Sequence, residues 1–222
     1  MQEYIFISKY YLYYMEKYKK ETIDAYNKNA KIFSHKFKNL TDLKRRYEFH
    51  KFMDLLQGKD ILDLGCGSGD HSEYFAKNGL NVTCIDLSKE MIKLCKEKKL
   101  NALIMDIESL KFNPESFDGI WAVTSLLHIP KAKIPLVINN LHRILKNEGI
   151  LYVCVKEGEG EGLIKSEEYD SQRFFSFWKK EELLNMFNKK FSLIKFEEAK
   201  LGHTNFLQFF FKKSGYLRNK NR

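Results

Sequence analysis

Residues 61–69 read Ile-Leu-Asp-Leu-Gly-Cys-Gly-Ser-Gly, and this stretch decides the fold. Its first four residues, Ile61–Leu64, form a short, mostly apolar run that is typical of a buried strand. Glycines follow at alternate positions, and glycine lets a backbone turn tightly and lets a ligand approach without a Cβ in the way. The stretch therefore predicts a buried strand followed by a turn that faces a nucleoside-type ligand.

Two other glycine-rich ligand motifs do not fit this turn. A dinucleotide site would carry G-x-G-x-x-G, but the position of its third glycine is Asp70. The phosphate-cradling G-x-x-x-x-G-K-[ST] loop is absent as well. The turn is therefore not the fingerprint of a nicotinamide or flavin enzyme.

From residue 60 onward, short apolar runs alternate with amphipathic stretches, which is typical of βαβ units and a mainly parallel sheet. Ligands of such sheets bind beyond the carboxyl ends of the strands. We predict a doubly wound α/β fold with a seven-stranded sheet, a C-terminal antiparallel hairpin and an N-terminal helical cap. Strands are predicted at Ile61–Leu64, Val82–Ile85, Ala102–Met105, Gly119–Val123, Ile150–Val155, Ser192–Ala199 and Asn205–Lys212.

The strand-ending acid and the glycines of the turn together resemble motif I of class I, Rossmann-like S-adenosylmethionine-dependent methyltransferases. The matching residues are Asp63, Gly65, Gly67 and Gly69. The resemblance implies S-adenosylmethionine as cofactor and S-adenosylhomocysteine as product. It also implies that Asp63 helps to hold the cofactor's ammonium, while backbone amides of the turn, at Gly65, Cys66 and Gly67, face its carboxylate.

The resemblance continues at the ends of the next strands, and it covers roughly residues 26–155. Asp86 would accept both ribose hydroxyls, because an acid at the end of the second strand does so in related nucleotide sites. The other implied cofactor contacts are Leu87, Met91, Asp106 and Ile107 around the adenine and Val123 near the ammonium.

Two N-terminal residues are further candidates for cofactor contact. In similar methyltransferases a tyrosine of the opening helix closes over the cofactor, which implies this role for Tyr26. An arginine there binds the cofactor carboxylate in some relatives, which implies Arg46 or its neighbour Arg45. Simple packing of the tyrosine and solvation of the arginine remain open alternatives.

Because the methyl donor is already activated, the enzyme mainly has to align a nucleophile and exclude water. His128 follows the fourth strand and is the candidate catalytic base, since neutral imidazole accepts protons near pH 7; contact with the ligands or a structural role are the alternatives. The Asn/Asp-Pro-Pro-Tyr box and the Pro-Cys nucleophile of two classes of DNA methyltransferase are both absent.

The C-terminal third offers candidates for acceptor binding. Residues 172–178 loosely resemble an Arg-aromatic stretch of methyltransferases that act on wobble uridines of tRNA, which implies acceptor contacts from Arg173, Phe175 and Trp178; packing of a helix on the sheet explains the aromatics equally well. The acidic segment Glu157–Gly162 is predicted to be a flexible loop that holds a cationic acceptor, acts as a lid or is simply solvated.

We predict one methyltransferase domain over residues 1–222. It divides into a cap (1–57), a cofactor-binding core (58–155), an acceptor region of loop, helix and hairpin (156–213) and a tail (214–222). The predicted function is methyl transfer to oxygen, nitrogen or sulfur of a small molecule. The net charge of +9 leaves an RNA acceptor open, although it comes from 32 lysines and 6 arginines spread along the chain, and a non-catalytic cofactor-binding subunit is a third possibility.

The composition is that of an ordinary globular protein, with 44% hydrophobic and 30% charged residues. No apolar run approaches the roughly 20 residues that span a bilayer, and the N-terminal stretch does not resemble a signal peptide. The four cysteines are too scattered for a zinc pair, so we expect reduced thiols and no metal site. These features predict a cytoplasmic protein without membrane association, and they leave the oligomeric state open.

Overall fold

A computed structural model of the chain describes residues 17–39 and 47–214. Nine strands lie in these ranges: β1 Asp60–Leu64, β2 Asn81–Asp86, β3 Asn101–Ile104, β4 Phe117–Val123, β5 Leu145–Lys156, β6 Glu161–Ser166, β7 Ser171–Ser176, β8 Phe191–Leu201 and β9 Thr204–Lys213. Seven of them form one sheet in the order β3-β2-β1-β4-β5-β9-β8. The strands β1 to β5 run parallel, and β9 runs antiparallel to both β5 and β8. The predicted fold, including the C-terminal hairpin, is confirmed.

The helices flank this sheet. They are α1 (17–28), α2 Ala30–Asn39, α3 Tyr47–Leu55, α4 Asp70–Lys77, α5 Lys89–Glu97, α6 Ile134–Ile144 and α7 Lys180–Phe187. Local sequence explains their starts: Ser88 caps α5 by accepting a hydrogen bond from the Met91 amide, and α4 begins after Gly69, which has a φ of 77°. None of the helices in the described ranges is long and apolar enough to cross a membrane.

The sheet is covered on both faces, which explains why its central strands are apolar without alternation. In β4, six of the seven residues are buried. On one face, Val137 of α6 and Phe187 of α7 pack with Phe209 of β9. On the other face, Phe49 of α3 packs against Trp121, whose ring stacks on Tyr152 at a centroid distance of 4.2 Å. The buried sheet therefore holds its carboxyl edge in a fixed place.

A second, two-stranded sheet formed by β6 and β7 corrects two expectations from the sequence. Glu161 and Gly162 begin β6 and so are not part of a flexible loop, and Arg173 and Phe175 lie on β7, which excludes a helix there. Tertiary contacts explain the difference, because the Ser176 hydroxyl donates to the carbonyls of Leu127 and Ile129 in a distant turn. Such contacts leave no local signal in the sequence.

Candidate active site

A cavity of about 590 Å³ opens at the carboxyl edge of the sheet, where the strand ends of β1, β2, β4 and β5 meet. Arg46, one predicted cofactor contact, lies outside the described residues. The remaining predicted cofactor contacts and the candidate base all lie on the cavity wall, although their roles stay predictions. These residues are Tyr26, Asp63, Gly65, Cys66, Gly67, Asp86, Leu87, Met91, Asp106, Ile107, Val123 and His128.

The glycine turn after β1 shapes one end of the cavity. Gly65 has a φ of 76°, and a Cβ there would lie 2.5 Å from the Cβ of Ser125, so a larger residue would collide with the turn after β4. Gly67 has a φ of 53°, and a Cβ there would meet nothing within 4 Å, so the space beside it is open. The amides of Gly65 and Cys66 both donate to the Ile85 carbonyl at 2.9 Å. The turn therefore leaves space for a ligand, while these two amides are used in hydrogen bonds within the protein.

Asp86, at the end of β2, is held by backbone donors. Its two carboxylate oxygens accept hydrogen bonds from the amides of Ser88 at 2.8 Å and Gly67 at 3.0 Å. Burial raises the pKa of this carboxyl, and the backbone donors oppose the increase. Each oxygen keeps capacity for another hydrogen bond, so Asp86 can accept donors from a ligand in the cavity.

Asp63, at the end of β1, is 3% exposed and accepts a hydrogen bond from the Ser72 hydroxyl at 2.6 Å. Burial raises the pKa of Asp63 well above its ordinary value, and the neighbouring Cys84 and Asp86 raise it further. Among the described residues, no lysine or arginine forms an ion pair with Asp63 or Asp86. A cationic ligand group would therefore stabilise the charged form of Asp63.

Asp106 differs from the other two acids because it has a cationic partner. Its Oδ2 lies 2.6 Å from Lys19 Nζ of α1, and its Oδ1 accepts a hydrogen bond from the Glu108 amide at 2.9 Å. Lys19 Nζ also lies 2.8 Å from a carboxylate oxygen of Glu108. These ion pairs hold α1 against the cavity, and no motif in the sequence indicated Lys19.

Tyr26 and His128 form a hydrogen-bonded pair on the cavity wall. His128 Nδ1–H donates to the Phe174 carbonyl at 2.5 Å, so Nε2 carries the lone pair that accepts the Tyr26 hydroxyl at 2.8 Å. Burial lowers the pKa of His128 to about 3, and the charges of Arg173 and Lys156 contribute to the decrease. The imidazole is therefore neutral at physiological pH, and both its nitrogens are engaged.

The three predicted acceptor contacts lie off the cavity wall. Arg173 Nη1 donates to the Tyr26 hydroxyl at 3.3 Å, and the Phe175 ring lies 4.9 Å from the His128 ring. Trp178 is fully buried, and its Nε1 donates to Ser176 Oγ at 3.1 Å, so it packs inside the protein. Arg173 and Phe175 are thus next to the candidate base, whereas Trp178 is not accessible to a ligand in this arrangement.

The cavity wall also includes residues that the sequence did not indicate. Glu197 of β8 and Gln208 of β9 lie there beside Cys154 of β5, and these residues are register partners across the three strands. His71 and Glu48 complete this side of the wall. No sequence signal joins residues so far apart in the chain. Within the described ranges, no group of three acidic, cysteine or histidine side chains could hold a metal ion.

Part of the chain is similar in sequence to known methyltransferases. Residues 62–153 match a family described as "Methyltransferase domain". A curated relative, the ubiquinone biosynthesis O-methyltransferase of Coxiella burnetii, is 35% identical over 103 residues, which are 44% of this chain and 43% of that protein. The chain thus spans less than half the length of this curated relative.

Solved structures share the fold over most of the chain. A S-adenosylmethionine-dependent methyltransferase of Clostridium acetobutylicum superimposes with a TM-score of 0.68 at 18% identity, covering 86% of this chain and 99% of that one. A didemethyltoxoflavin N1-methyltransferase of Burkholderia thailandensis, solved with S-adenosylhomocysteine, gives a TM-score of 0.60 at 17% identity, covering 85% and 88%. Residues 62–153 thus match the methyltransferase-domain family, and the chain shares the Rossmann-like fold of these solved S-adenosylmethionine-dependent methyltransferases.

Proposed function

We propose that the protein binds S-adenosylmethionine and transfers its methyl group to oxygen, nitrogen or sulfur of a small-molecule acceptor, releasing S-adenosylhomocysteine. One observation carries this proposal: the cavity brings Asp63 and Asp86 together on one wall, and neither carboxylate has a cationic partner among the described residues. The relative's name places it in ubiquinone biosynthesis, which favours a small acceptor over RNA.

The residues of the cavity fit the cofactor. Asp63 supplies a buried negative charge for the ammonium, and Asp86 supplies carboxylate oxygens for ribose hydroxyls. Met91 and Ile107 offer apolar surface for the adenine, and the open space beside Gly67 admits the ligand without a steric clash. When bound, S-adenosylmethionine supplies an activated methyl group on a positively charged sulfur.

The chain's own residues align the acceptor and take up its proton. The bound cofactor would supply the methyl group, and a protonated acceptor would give its proton to Tyr26 Oη on the cavity wall. Tyr26 passes its own proton to His128 Nε2, which already accepts its hydrogen bond. Helix α1 keeps water from the site through the ion pair of Lys19 with Asp106.

Calorimetry with S-adenosylhomocysteine tests the binding half of this proposal. We expect the wild-type protein to bind the compound, and Asp86→Ala to weaken binding at least tenfold, or about 1.4 kcal/mol. Glu97→Gln, at an exposed position of α5, is the matched control and should leave affinity unchanged. Absence of binding by the wild-type protein would refute the proposal.

Transfer itself is tested by incubating the protein with radiolabelled S-adenosylmethionine and either a metabolite extract or purified tRNA. We expect label in a small product that is lost in Asp86→Ala. Label in tRNA alone would favour the RNA alternative, and cofactor binding without transfer to either pool would favour the non-catalytic one.

We further propose a cytoplasmic setting, since the four cysteines are free thiols and such thiols stay reduced there.

A further inference from the structure

Two cations near the Tyr26–His128 pair lack a carboxylate partner. Lys156 ends β5, and its Nζ lies 4.5 Å from the centroid of the Phe175 ring. Arg173 of β7 places its Cζ 5.2 Å from the centroid of the same ring. Neither cation forms an ion pair with any residue that the structure describes. Two like charges therefore share one aromatic ring without neutralisation.

The acids of the surrounding segment are engaged elsewhere. Glu157 accepts a hydrogen bond from the Asn205 side chain, Glu159 pairs with Lys179, and Glu161 accepts from the Lys131 amide. On the β6–β7 hairpin, Glu168 pairs with Lys36 and Asp170 pairs with Lys28. Burial lowers the pKa of Lys156, and the charge of Arg173 lowers it further. The fold thus leaves this pair of cations uncompensated, which costs free energy.

Arg173 also retains unused donors. One N–H of its guanidinium donates to the Tyr26 hydroxyl, and no other hydrogen bond joins it to a described residue. Its planar group lies among the rings of Tyr26, Phe33, Tyr169 and Phe175. A guanidinium held flat by aromatic rings, with N–H groups to spare, suits a planar or tetrahedral oxyanion.

The two cations lie next to residues that line the cavity. Lys156 is on the same face of β5 as Cys154, which lines the cavity, because side chains two positions apart on a strand share a face about 6.6 Å from each other. Its register partner on β9, Phe206, lines the cavity too. Arg173 reaches the cavity wall through its bond to Tyr26. Both cations are therefore placed to meet an acceptor that occupies the Tyr26–His128 side.

We propose that Lys156 and Arg173 bind an oxyanion of the acceptor, so that the substrate is a small molecule with a carboxylate or phosphate group. This inference rests on the proposed methyltransferase function. Burial is the main cause of the lowered pKa of His128, and a bound oxyanion offsets the smaller contribution of the two positive charges, which makes the Tyr26–His128 pair a better proton acceptor. The anion would thus serve both recognition and proton transfer.

The test uses bisubstrate probes, because the acceptor itself is unidentified. In these analogues of S-adenosylhomocysteine, nitrogen replaces sulfur and carries a propyl arm that ends in a carboxylate, a phosphate or an uncharged carboxamide. We expect the wild-type protein to bind at least one anionic arm at least tenfold more tightly than the carboxamide arm. The carboxylate and phosphate arms distinguish the two sources of the oxyanion.

Variants show which residues cause the preference for an anionic arm. Lys156→Met and Arg173→Met should each reduce the preference for the anionic arm to threefold or less. Lys165→Met, which removes an exposed charge from the same hairpin, should retain the full preference. Circular dichroism shows whether each variant folds. If Arg173→Met does not fold, Lys156→Met alone still decides the test.

Three results would overturn the inference. The first is a carboxamide arm that binds as tightly as both anionic arms, and the second is a preference that survives in a folded Lys156→Met protein. The third is displacement of the anionic probes by tRNA at a lower concentration than small carboxylic acids or inorganic phosphate require. That result would assign the cations to RNA binding. If S-adenosylhomocysteine itself does not bind, the proposed function fails and this inference fails with it.

Discussion

At the scale of the residue, Asp63 connects burial to ligand binding. Burial favours the protonated form of its carboxyl and so raises its pKa, whereas a cofactor ammonium would pair with the ionised form. Affinity for S-adenosylhomocysteine should therefore rise as pH increases through the raised pKa and then level off. Calorimetry across a pH series measures this, and Asp63→Asn should bind more weakly without that pH dependence. An equal pH dependence in Asp63→Asn would show that another group controls it.

His128 gives a second prediction, this time about stability. Its pKa is lowered from 6.5 to about 3 in the folded protein, so its contribution to stability is complete above 6.5 and is lost as pH falls toward 3. The free energy of unfolding should fall less steeply with decreasing pH in His128→Asn than in the wild type, by about 1 kcal/mol per pH unit. Urea denaturation at several pH values measures both slopes. Parallel slopes would contradict the neutral, buried imidazole.

The sequence indicated which single residues would line the cavity only where a motif marks them. Asp63, Asp86 and Asp106 end successive parallel strands, and strand ends meet at one edge of a sheet, so their convergence followed from spacing. Lys19 and Asp106 are 87 positions apart, and no periodicity records that pairing. The sequence singled out Arg173 through its aromatic neighbours but not Lys156, because one lysine among 32 carries no signal.

At the scale of the element, α1 acts through ion pairs with the turn after β3. Lys19 is partly buried between Asp106 and Glu108, whereas Lys20 makes an exposed pair with Asp24. Lys19→Met should lower the free energy of local opening of α1 by about 1 kcal/mol. This corresponds to roughly fivefold faster amide exchange in residues 17–28. Lys20→Met is the matched control and should leave exchange nearly unchanged. Hydrogen exchange followed by mass spectrometry compares them, and equal rates in both variants would contradict this role.

For some helices and strands, the local sequence pattern is sufficient to predict the element. The strands β1 to β5 were predicted because their apolar runs are bounded by turns, and helix α5 lies in one of the amphipathic stretches between those runs. The hairpin of β6 and β7 was missed because its exposed first strand has no alternating pattern. Its second strand is fixed by distant partners, including His128. Such pairing depends on the folded environment and not on local propensity.

At the scale of the whole molecule, charge is distributed unevenly. The chain has a formal net charge of +9, yet the cavity wall includes the carboxylates of Asp63, Asp86, Asp106 and Glu197. The positive charges of Lys156 and Arg173 lie next to that wall, beside Phe175. This separation suits a cationic cofactor on one side and an anionic acceptor on the other. Composition alone cannot show it, because folding brings the acids together.

The most direct test of the central claim is a crystal structure of the protein with S-adenosylhomocysteine. We expect the adenosyl group in the cavity at the carboxyl edge of the sheet, with the ribose hydroxyls at Asp86 and the ammonium at Asp63, directly or through one water. Density for the ligand at another surface, or a ligand whose ribose and ammonium contact neither acid, would contradict the account.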